Sequence, residues 1–448
     1  MAARSARRNR PEKSRNDTWR TLVLAAAAAS VLCTASCREY REGGPSFLLV
    51  IYDSQRADHC SCYGYDRETT PTMDSLAGDG TMFASAQSQA PWTLPAVTTV
   101  LTGLHPQSHG AGEIDSDLFG LDPELPFLPV LMQEAGYHTF GEFCIPWLGP
   151  QFGFDRGWDE LVVYTGRALD GHIDETEEHV SQWLSTIPGD ERFFAVVHVF
   201  EMHNPFDPSP PFDTMFGVDS LSRYVGISSF TLDADNRPSD PGEALYLETQ
   251  YDGEIRMADE GVGRLLRCIG EAGRGPETVV ILVADHREEF MERGGYDHGH
   301  TLYQEMLHIP LVFHGPGVPA GVIRPEVVGQ IDIAPTILAL AGAPVPEVMA
   351  GTDILAPVIP ERAMPSGSTR SNAFYSVRYG DSKLILDCEE GALLFFDLAS
   401  DPGEIHPQPP DSMLADSIVK YLALPRLGNR SVMLDDAATR TLRDLGYI

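Results

Sequence analysis

Three segments of this chain share one pattern: an uninterrupted apolar run that stops at a chemically able polar residue. They are "SFLLVIYD" (46–53), "RFFAVVHVFEMH" (192–203) and "TVVILVADH" (278–286). A run that is apolar at every position, not at alternate ones, fits a strand buried on both faces of a parallel sheet. "IPLVFHGPG" (309–317) reads as another such strand. Helical segments lie between them. Across 244–273, apolar residues recur at 247, 251, 255, 258, 262, 265 and 269, and Gly273 stands where a helix would stop. Residues 127–136 and 175–187 also read as helices. Strands alternating with helices predict a doubly wound α/β fold with a mixed, mostly parallel sheet. Ligands of such sheets bind beyond the carboxyl ends of the strands, where Asp53, His203, Asp285 and His286 all fall.

The pattern changes after about residue 330. "DIAPTILALAGAPVP" reads as a short helix and turn. "AFYSVRYG", "SKLILDCEE" and "ALLFFDLAS" then read as three strands of a small antiparallel sheet, and 414–424 as a helix. The expected division is an α/β domain over 46–345 and a smaller α+β subdomain over 346–448. Residues 204–243, rich in Pro, Ser and Asp, read as a surface insertion near the strand ends.

The formal net charge is −33. The first 36 residues carry an excess of basic side chains, so the remainder is more acidic still. Such a surface repels nucleic acid and anionic membrane. The N-terminus reads as a signal peptide over 1–36: a basic stretch to Arg20, the apolar run "TLVLAAAAASVL", then "CTASC". Ala35-Ser36 before Cys37 resembles a bacterial lipoprotein cleavage box, with Thr34 where Leu is usual. The expectation is export to the periplasm or cell envelope, with a lipid on Cys37 as the only tie to a membrane. Five cysteines remain, an odd number, so they do not all pair. Cys60-Ser-Cys62 lacks further Cys or His neighbours and reads as ordinary thiols.

Asp53, Thr93, Asp285 and His286 together offer two carboxylates, a hydroxyl and an imidazole, a donor set for one divalent cation. A free threonine hydroxyl is a feeble nucleophile near neutral pH, and metal coordination raises its reactivity. "APWTLPAVTTVLTG" (90–103) puts Thr93 at the start of an apolar helix, whose positive dipole end favours an ionised oxygen and an anionic substrate. The donor types suit Zn²⁺ or Mn²⁺ better than an all-oxygen Ca²⁺ cage, with Ca²⁺ an open alternative.

Several motifs in order resemble the sulfatase family of the alkaline phosphatase superfamily. They are "LLVIYDSQRADHCSCYGYDRETTPTMDSLAGDG", "APWTLPAVTTVLTG", "YDGEIRMADEGVGRLL", "VADHREEF", "HGHTLYQEMLHIPLVFHGPG", "QIDIAPTILALAG" and "FFDLASDPGE", with "LRDLGYI" at the end. The resemblance runs over about 46–448. It implies an alkaline-phosphatase-like fold, Asp53, Asp285 and His286 as metal ligands, and Thr93 at the nucleophile position. His203 matches a histidine that contacts the bound ester, and His300 falls near a second anion-binding position. Two-zinc relatives suggest His203, His298 and His300 as donors to a second ion.

The departures from the family pattern carry as much chemistry. Sulfatases place Cys or Ser, oxidised to formylglycine, where this chain has Thr93, so no formylglycine is expected. Val97 replaces the arginine of that motif, "GYHTFGEFCIPWLG" lacks the family's Lys-Trp-His, and Arg287 replaces the glycine after Asp-His. A formylglycine hydrate expels sulfate through its second hydroxyl, an exit that threonine lacks, whereas a phosphothreonine is opened by water or an acceptor alcohol. The reading is therefore a metal-dependent hydrolase or transferase of a small-molecule, glycan or lipid ester, with a lean to phosphoesters. Arg287 either restores positive charge at the site or crowds the metal. The alternative is a catalytically impaired sulfatase-fold protein that binds glycans or a protein partner.

Overall fold

The computed structural model describes residues 44–114, 116–164, 173–217, 219–224, 238, 240–370 and 373–444. The signal segment, Cys37 and, within the 204–243 insertion, residues 218, 225–237 and 239 lie outside these residues.

The apolar runs are strands. An eight-stranded sheet contains β1 (Ser46–Tyr52), β2 (Thr81–Gln87), β3 (His138–Phe143), β4 (Glu160–Val163), β5 (Phe193–Val199), β6 (Thr278–Ala284), β7 (Leu311–His314) and β8 (Val322–Gly329). Their order is β8-β2-β7-β6-β1-β5-β3-β4. Every residue of β1, β5 and β6 is buried, as their near-continuous apolarity predicts. β1 lies between β5 and β6 and pairs with both in parallel, with Tyr52 opposite Val199 and Ala284. The three strands therefore end at one level, and the residues after them meet there.

One expectation needs correction. The strand within 309–317 runs antiparallel to both its neighbours, β2 and β6. Its C-terminal end therefore points away from the edge where the other strands finish. An apolar run carries burial in its composition, but its direction is set by which strands it pairs with.

The longer helices are α1 (Pro71–Asp79), α2 (Thr93–Thr102), α3 (Ile173–Thr186), α4 (Pro241–Glu271), α5 (Ile333–Ala341), α6 (Ser412–Leu422) and α7 (Asp436–Asp444). In α4 the apolar positions read from the sequence, from Leu247 to Ile269, form the buried face. Its start is fixed by Asp240, whose carboxylate accepts from the amides of Gly242 and Glu243, followed by Pro241 in the first turn. The same helix sends Asp259 to the start of α1, where it accepts from Thr72 N (2.7 Å) and Met73 N (3.0 Å). No helix among the described residues is long and apolar enough to cross a membrane.

The C-terminal sheet has four strands in sequential antiparallel order: β9 (Met364–Ser368), β10 (Phe374–Tyr379), β11 (Ser382–Asp387) and β12 (Ala392–Asp397). Strand β9, "MPSGS", has no apolar alternation, and its Pro365 and Gly367 read as turn residues. It forms because β10 supplies a ladder along its full length, and a proline is tolerated on this edge strand. Val377 and Leu384 from this sheet pack with Leu414 and Ile418 of α6 in a small core of their own.

Candidate functional site

Asp53 follows β1, and its amide donates to Val199 O at 2.8 Å. Asp285 follows β6, and its amide donates to Tyr52 O at 3.0 Å. Backbone pairing thus brings together two carboxylates separated by more than two hundred residues. Ser88 Oγ and the Gln330 side-chain amide both donate to Asp285 O and hold that turn in place. Ser54 adopts φ 57°, which lets its amide reach Asp285 Oδ1 at 3.1 Å while its hydroxyl donates to Asp53 Oδ1 at 2.9 Å.

Thr93 is the first residue of α2, and the residue before it, Trp92, provides no side-chain cap. The amides of the first turn are therefore not taken up by a capping side chain, and the positive end of the helix dipole coincides with the Thr93 hydroxyl. At the other end, Gly103 at φ 63° closes the helix through its amide to Thr99 O. Thr93 is fully buried, as are Asp53, Asp285 and His286.

The four side chains meet. Thr93 Oγ1 is 3.3 Å from Asp53 Oδ2 and 3.2 Å from His286 Nε2. His286 Nε2 is 3.6 Å from Asp53 Oδ1 and 3.4 Å from Asp285 Oδ2. His286 Nδ1 lies 3.1 Å from Arg287 O, a contact only an N–H satisfies, so the lone pair sits on Nε2 and faces the cluster. Burial pushes the His286 imidazole down to about 3, keeping it neutral. Burial also raises Asp285, and the nearby charge of Asp53 raises it further. Asp53 itself lies well below its usual range, because His198, His203 and His286 together outweigh its burial.

This cluster has the properties of a cation seat. Two fully buried carboxylates face each other, and Asp285 Oδ2 has no hydrogen-bond partner. Buried polar atoms are otherwise almost always paired, and buried like charges need a counter-ion. Two carboxylates, a neutral imidazole and a hydroxyl are donors that a divalent transition ion accepts.

The other residues singled out from the sequence take more varied positions. His203 is buried at the end of β5, stacked on Phe200 at 4.4 Å between ring centroids, with Nδ1 2.6 Å from Asn204 O. Its field acts on Asp53. His300 points elsewhere: its Nε2 lies 2.8 Å from Glu289 Oε2, which raises the His300 pKa against the opposing effect of burial. Arg287 is buried with its guanidinium directed to Asp58 and to Gln304 O. Asp58 also receives Arg56 Nε at 3.0 Å. The charge of Arg287 is thus matched by a carboxylate outside the Thr93 cluster.

Three further groups, His198, Glu288 and Asp297, have no part in the sequence reading. His198, the penultimate residue of β5, has Nε2 3.3 Å from Asp53 Oδ2. Its signal was a lone polar residue inside "FFAVVHV". Glu288, Asp297 and His298 form a second acid–imidazole cluster, and of the three only His298 is a candidate ligand in the sequence, as a donor to a second ion. His298 Nδ1 is 2.7 Å from Asp297 Oδ1 and 3.2 Å from Glu288 Oε2. Burial opposes protonation of His298, but Asp297 and Glu288 outweigh it and raise its pKa well above the usual value. Its ring centroid lies 4.3 Å from that of His286, so the two clusters adjoin.

The profile of the Sulfatase family matches residues 45–343, and that of the N-sulphoglucosamine sulphohydrolase C-terminal family matches 291–423. The chain is 26% identical over 435 residues to the uncharacterized sulfatase YidJ of Escherichia coli, covering 83% of this chain and 84% of that one. It is 25% identical over 415 residues to human arylsulfatase A, covering 81% and 74%. Among solved structures, the phosphonate monoester hydrolase of Agrobacterium radiobacter superposes with a TM-score of 0.68 at 20% identity, over 84% of this chain and 94% of that one. A protein solved in complex with its substrate D-glucosamine-2-N,6-O-disulfate superposes with a TM-score of 0.72 at 17% identity, over 85% and 97%. With the family profile covering two thirds of its length, and with the strand-end carboxylates the fold brings together, this chain belongs to the sulfatase family of ester hydrolases.

Proposed function

We propose that this protein hydrolyses or transfers phosphoric esters, with Thr93 as nucleophile and Asp53, Thr93, Asp285 and His286 holding one divalent cation. The observation that carries the reading is the Thr93 hydroxyl, within 3.3 Å of both Asp53 and His286 at the N-terminus of α2. When bound, the cation supplies positive charge that eases ionisation of the threonine hydroxyl and offsets charge on the transferring group.

The chain's own residues account for the remaining steps. Thr93 Oγ1 bonds to phosphorus as the bond from phosphorus to the ester oxygen breaks. The proton from Thr93 passes to the departing alkoxide, with Asp53 Oδ2 within reach of Thr93 to relay it. Water or an acceptor alcohol then attacks the phosphothreonine, and a proton returns to Thr93. The N-terminal amides of α2 bind the anionic oxygens, and His203 contacts the ester. Arg287, ion-paired with Asp58, acts by fixing the turn after His286, with no direct charge on the substrate. Threonine lacks the second hydroxyl through which formylglycine releases sulfate, so phosphoesters and phosphonate monoesters are favoured over sulfate esters. The similarity in fold to a phosphonate monoester hydrolase supports the same substrate class. We also place the mature protein outside the cytoplasm, attached through Cys37.

The test is a rate panel of aryl sulfate, aryl phosphate, bis-aryl phosphate and aryl phosphonate, with and without Zn²⁺, Mn²⁺ or Ca²⁺. The expected result is metal-dependent turnover of a phosphorus ester that Thr93→Ala abolishes. Turnover of sulfate alone would overturn the phosphoester reading. Full activity in Thr93→Ala with metal retained would overturn the nucleophile. A metal-free protein inert toward the whole panel would leave the fold as a binding scaffold.

A further inference from the structure

Of the imidazoles around Asp53, His198 has the least ordinary surroundings. It sits one residue from the end of β5, opposite Ile51 of β1, and its side chain is fully enclosed. Neither Nδ1 nor Nε2 has a hydrogen-bond partner. An imidazole buried among apolar strand residues normally satisfies at least one nitrogen, because an unpaired buried donor or acceptor costs about 1–3 kcal/mol. The third unpaired atom in this place is Asp285 Oδ2. Single ligand atoms from Asp53, His198 and Asp285 all lie within 4.8 Å of one another, and His198 Nε2 is 3.3 Å from Asp53 Oδ2. One nitrogen of His198, one oxygen of Asp53 and one oxygen of Asp285 thus converge, and a cation between them explains both the convergence and the missing partners of His198 and Asp285 Oδ2.

We propose that His198 is a further ligand of the metal, completing a seat of two carboxylates, two imidazoles and the Thr93 hydroxyl. This rests on the reading that Asp53, Thr93, Asp285 and His286 hold one divalent cation. It has a consequence that those four residues alone do not carry. Imidazole suits zinc, copper, iron and nickel, whereas Ca²⁺ takes six to eight oxygens. With His198 added to His286, nearly half of the protein donors are nitrogen, and the site selects a transition ion against Ca²⁺. His198 is held by the strand ladder of β5, a rigid element, so its nitrogen is presented without ordering a loop.

The decisive experiment is X-ray absorption of the zinc-loaded full chain together with zinc and calcium titrations of the wild type and His198→Asn. Two coordinated imidazoles in the wild type are expected. In His198→Asn the zinc dissociation constant should rise at least about tenfold, with little change in any calcium binding. Circular dichroism of the variant checks that it folds, and the imidazole count needs no variant at all. A single imidazole in the wild type would overturn the role of His198 while leaving the four-residue seat intact. Zinc affinity unchanged in a folded His198→Asn would do the same. A wild type that takes up no divalent cation would overturn both, and loss of binding in Asp285→Asn separates the shared seat from the contribution of His198.

Discussion

Lys383 allows the energetics behind the loop after His286 to be tested directly. It lies in β11, fully buried, with Nζ 2.8 Å from Glu404 Oε1. Burial pushes the ammonium down from its usual value, and Glu404 pulls it back up. The other oxygen of Glu404 accepts from the amide of Gln304 at 2.5 Å, and Gln304 O accepts from Arg287, the residue after His286. The pair thus ties the C-terminal sheet to the loop that carries the site. Removing one partner of a buried ion pair costs about 3–5 kcal/mol, because the remaining charge is stranded. Arg293 stands 4.0 Å from Glu404 Oε2, which keeps the cost of Lys383→Met near the lower end, about 3 kcal/mol. With unfolding entropy near 2 cal/mol/K per residue, a domain of about 400 residues shifts in Tm by roughly 3–4 °C for that loss. Thermal unfolding by circular dichroism reads it. The double variant Lys383→Met/Glu404→Gln removes both charges and is expected to recover more than half of the loss. A single variant within about 1 °C of wild type, or a double variant whose losses simply add, would refute the reasoning.

Three other outcomes follow from particular contacts. Thr93→Ala should lower kcat by at least about 10³-fold on whichever ester is turned over, while Thr93→Ser keeps the attacking oxygen and a measurable rate; equal rates for the two in a steady-state assay would remove Thr93 from the chemistry. Burial raises the Asp259 carboxyl to about 6 against an ordinary 3.8, so the folded state holds that proton more tightly than the unfolded chain. Its contribution is complete below pH 3.8 and is lost as pH rises through 6, up to about 3 kcal/mol, so the stability difference between wild type and Asp259→Asn in urea titrations should change across that window and be flat above it. A methyl placed on Gly351 would lie 1.9 Å from Ile331 O, whereas one on Gly270, in the last turns of α4, meets nothing within 4 Å. Gly351→Ala should therefore lower Tm, and Gly270→Ala should raise stability by about 0.5–1 kcal/mol; equal melting curves for the two would contradict the packing described.

Much of the site was legible because its residues follow apolar strands. A sequence that stays apolar and then breaks at Asp53 or at Asp285-His286 marks both a strand and its end, and a parallel sheet gathers such ends at one edge. Thr93 was legible from the helix that follows it. His198 was not, since a lone histidine inside "FFAVVHV" has the same signature whether it satisfies itself in the core or faces a cation. Arg287 stood open in the sequence. Its place beside His286 fits either added charge or crowding at the metal, and only the folded chain shows its side chain paired with Asp58. Strand β9 escaped because its composition favours a turn and only its neighbour makes it a strand.

The amino-acid order by itself determined the strands and helices of the α/β core, the acidic surface, and the chemical character of the Thr93, Asp53, Asp285 and His286 set, since burial periodicity and functional-group chemistry are local properties. The tertiary structure alone decided the direction of β7, the partner of Arg287, and the gathering of His198 and Glu288–His298 around the same edge. Those depend on which strands pair and how far each side chain reaches, and pairing is a long-range choice made by the whole core.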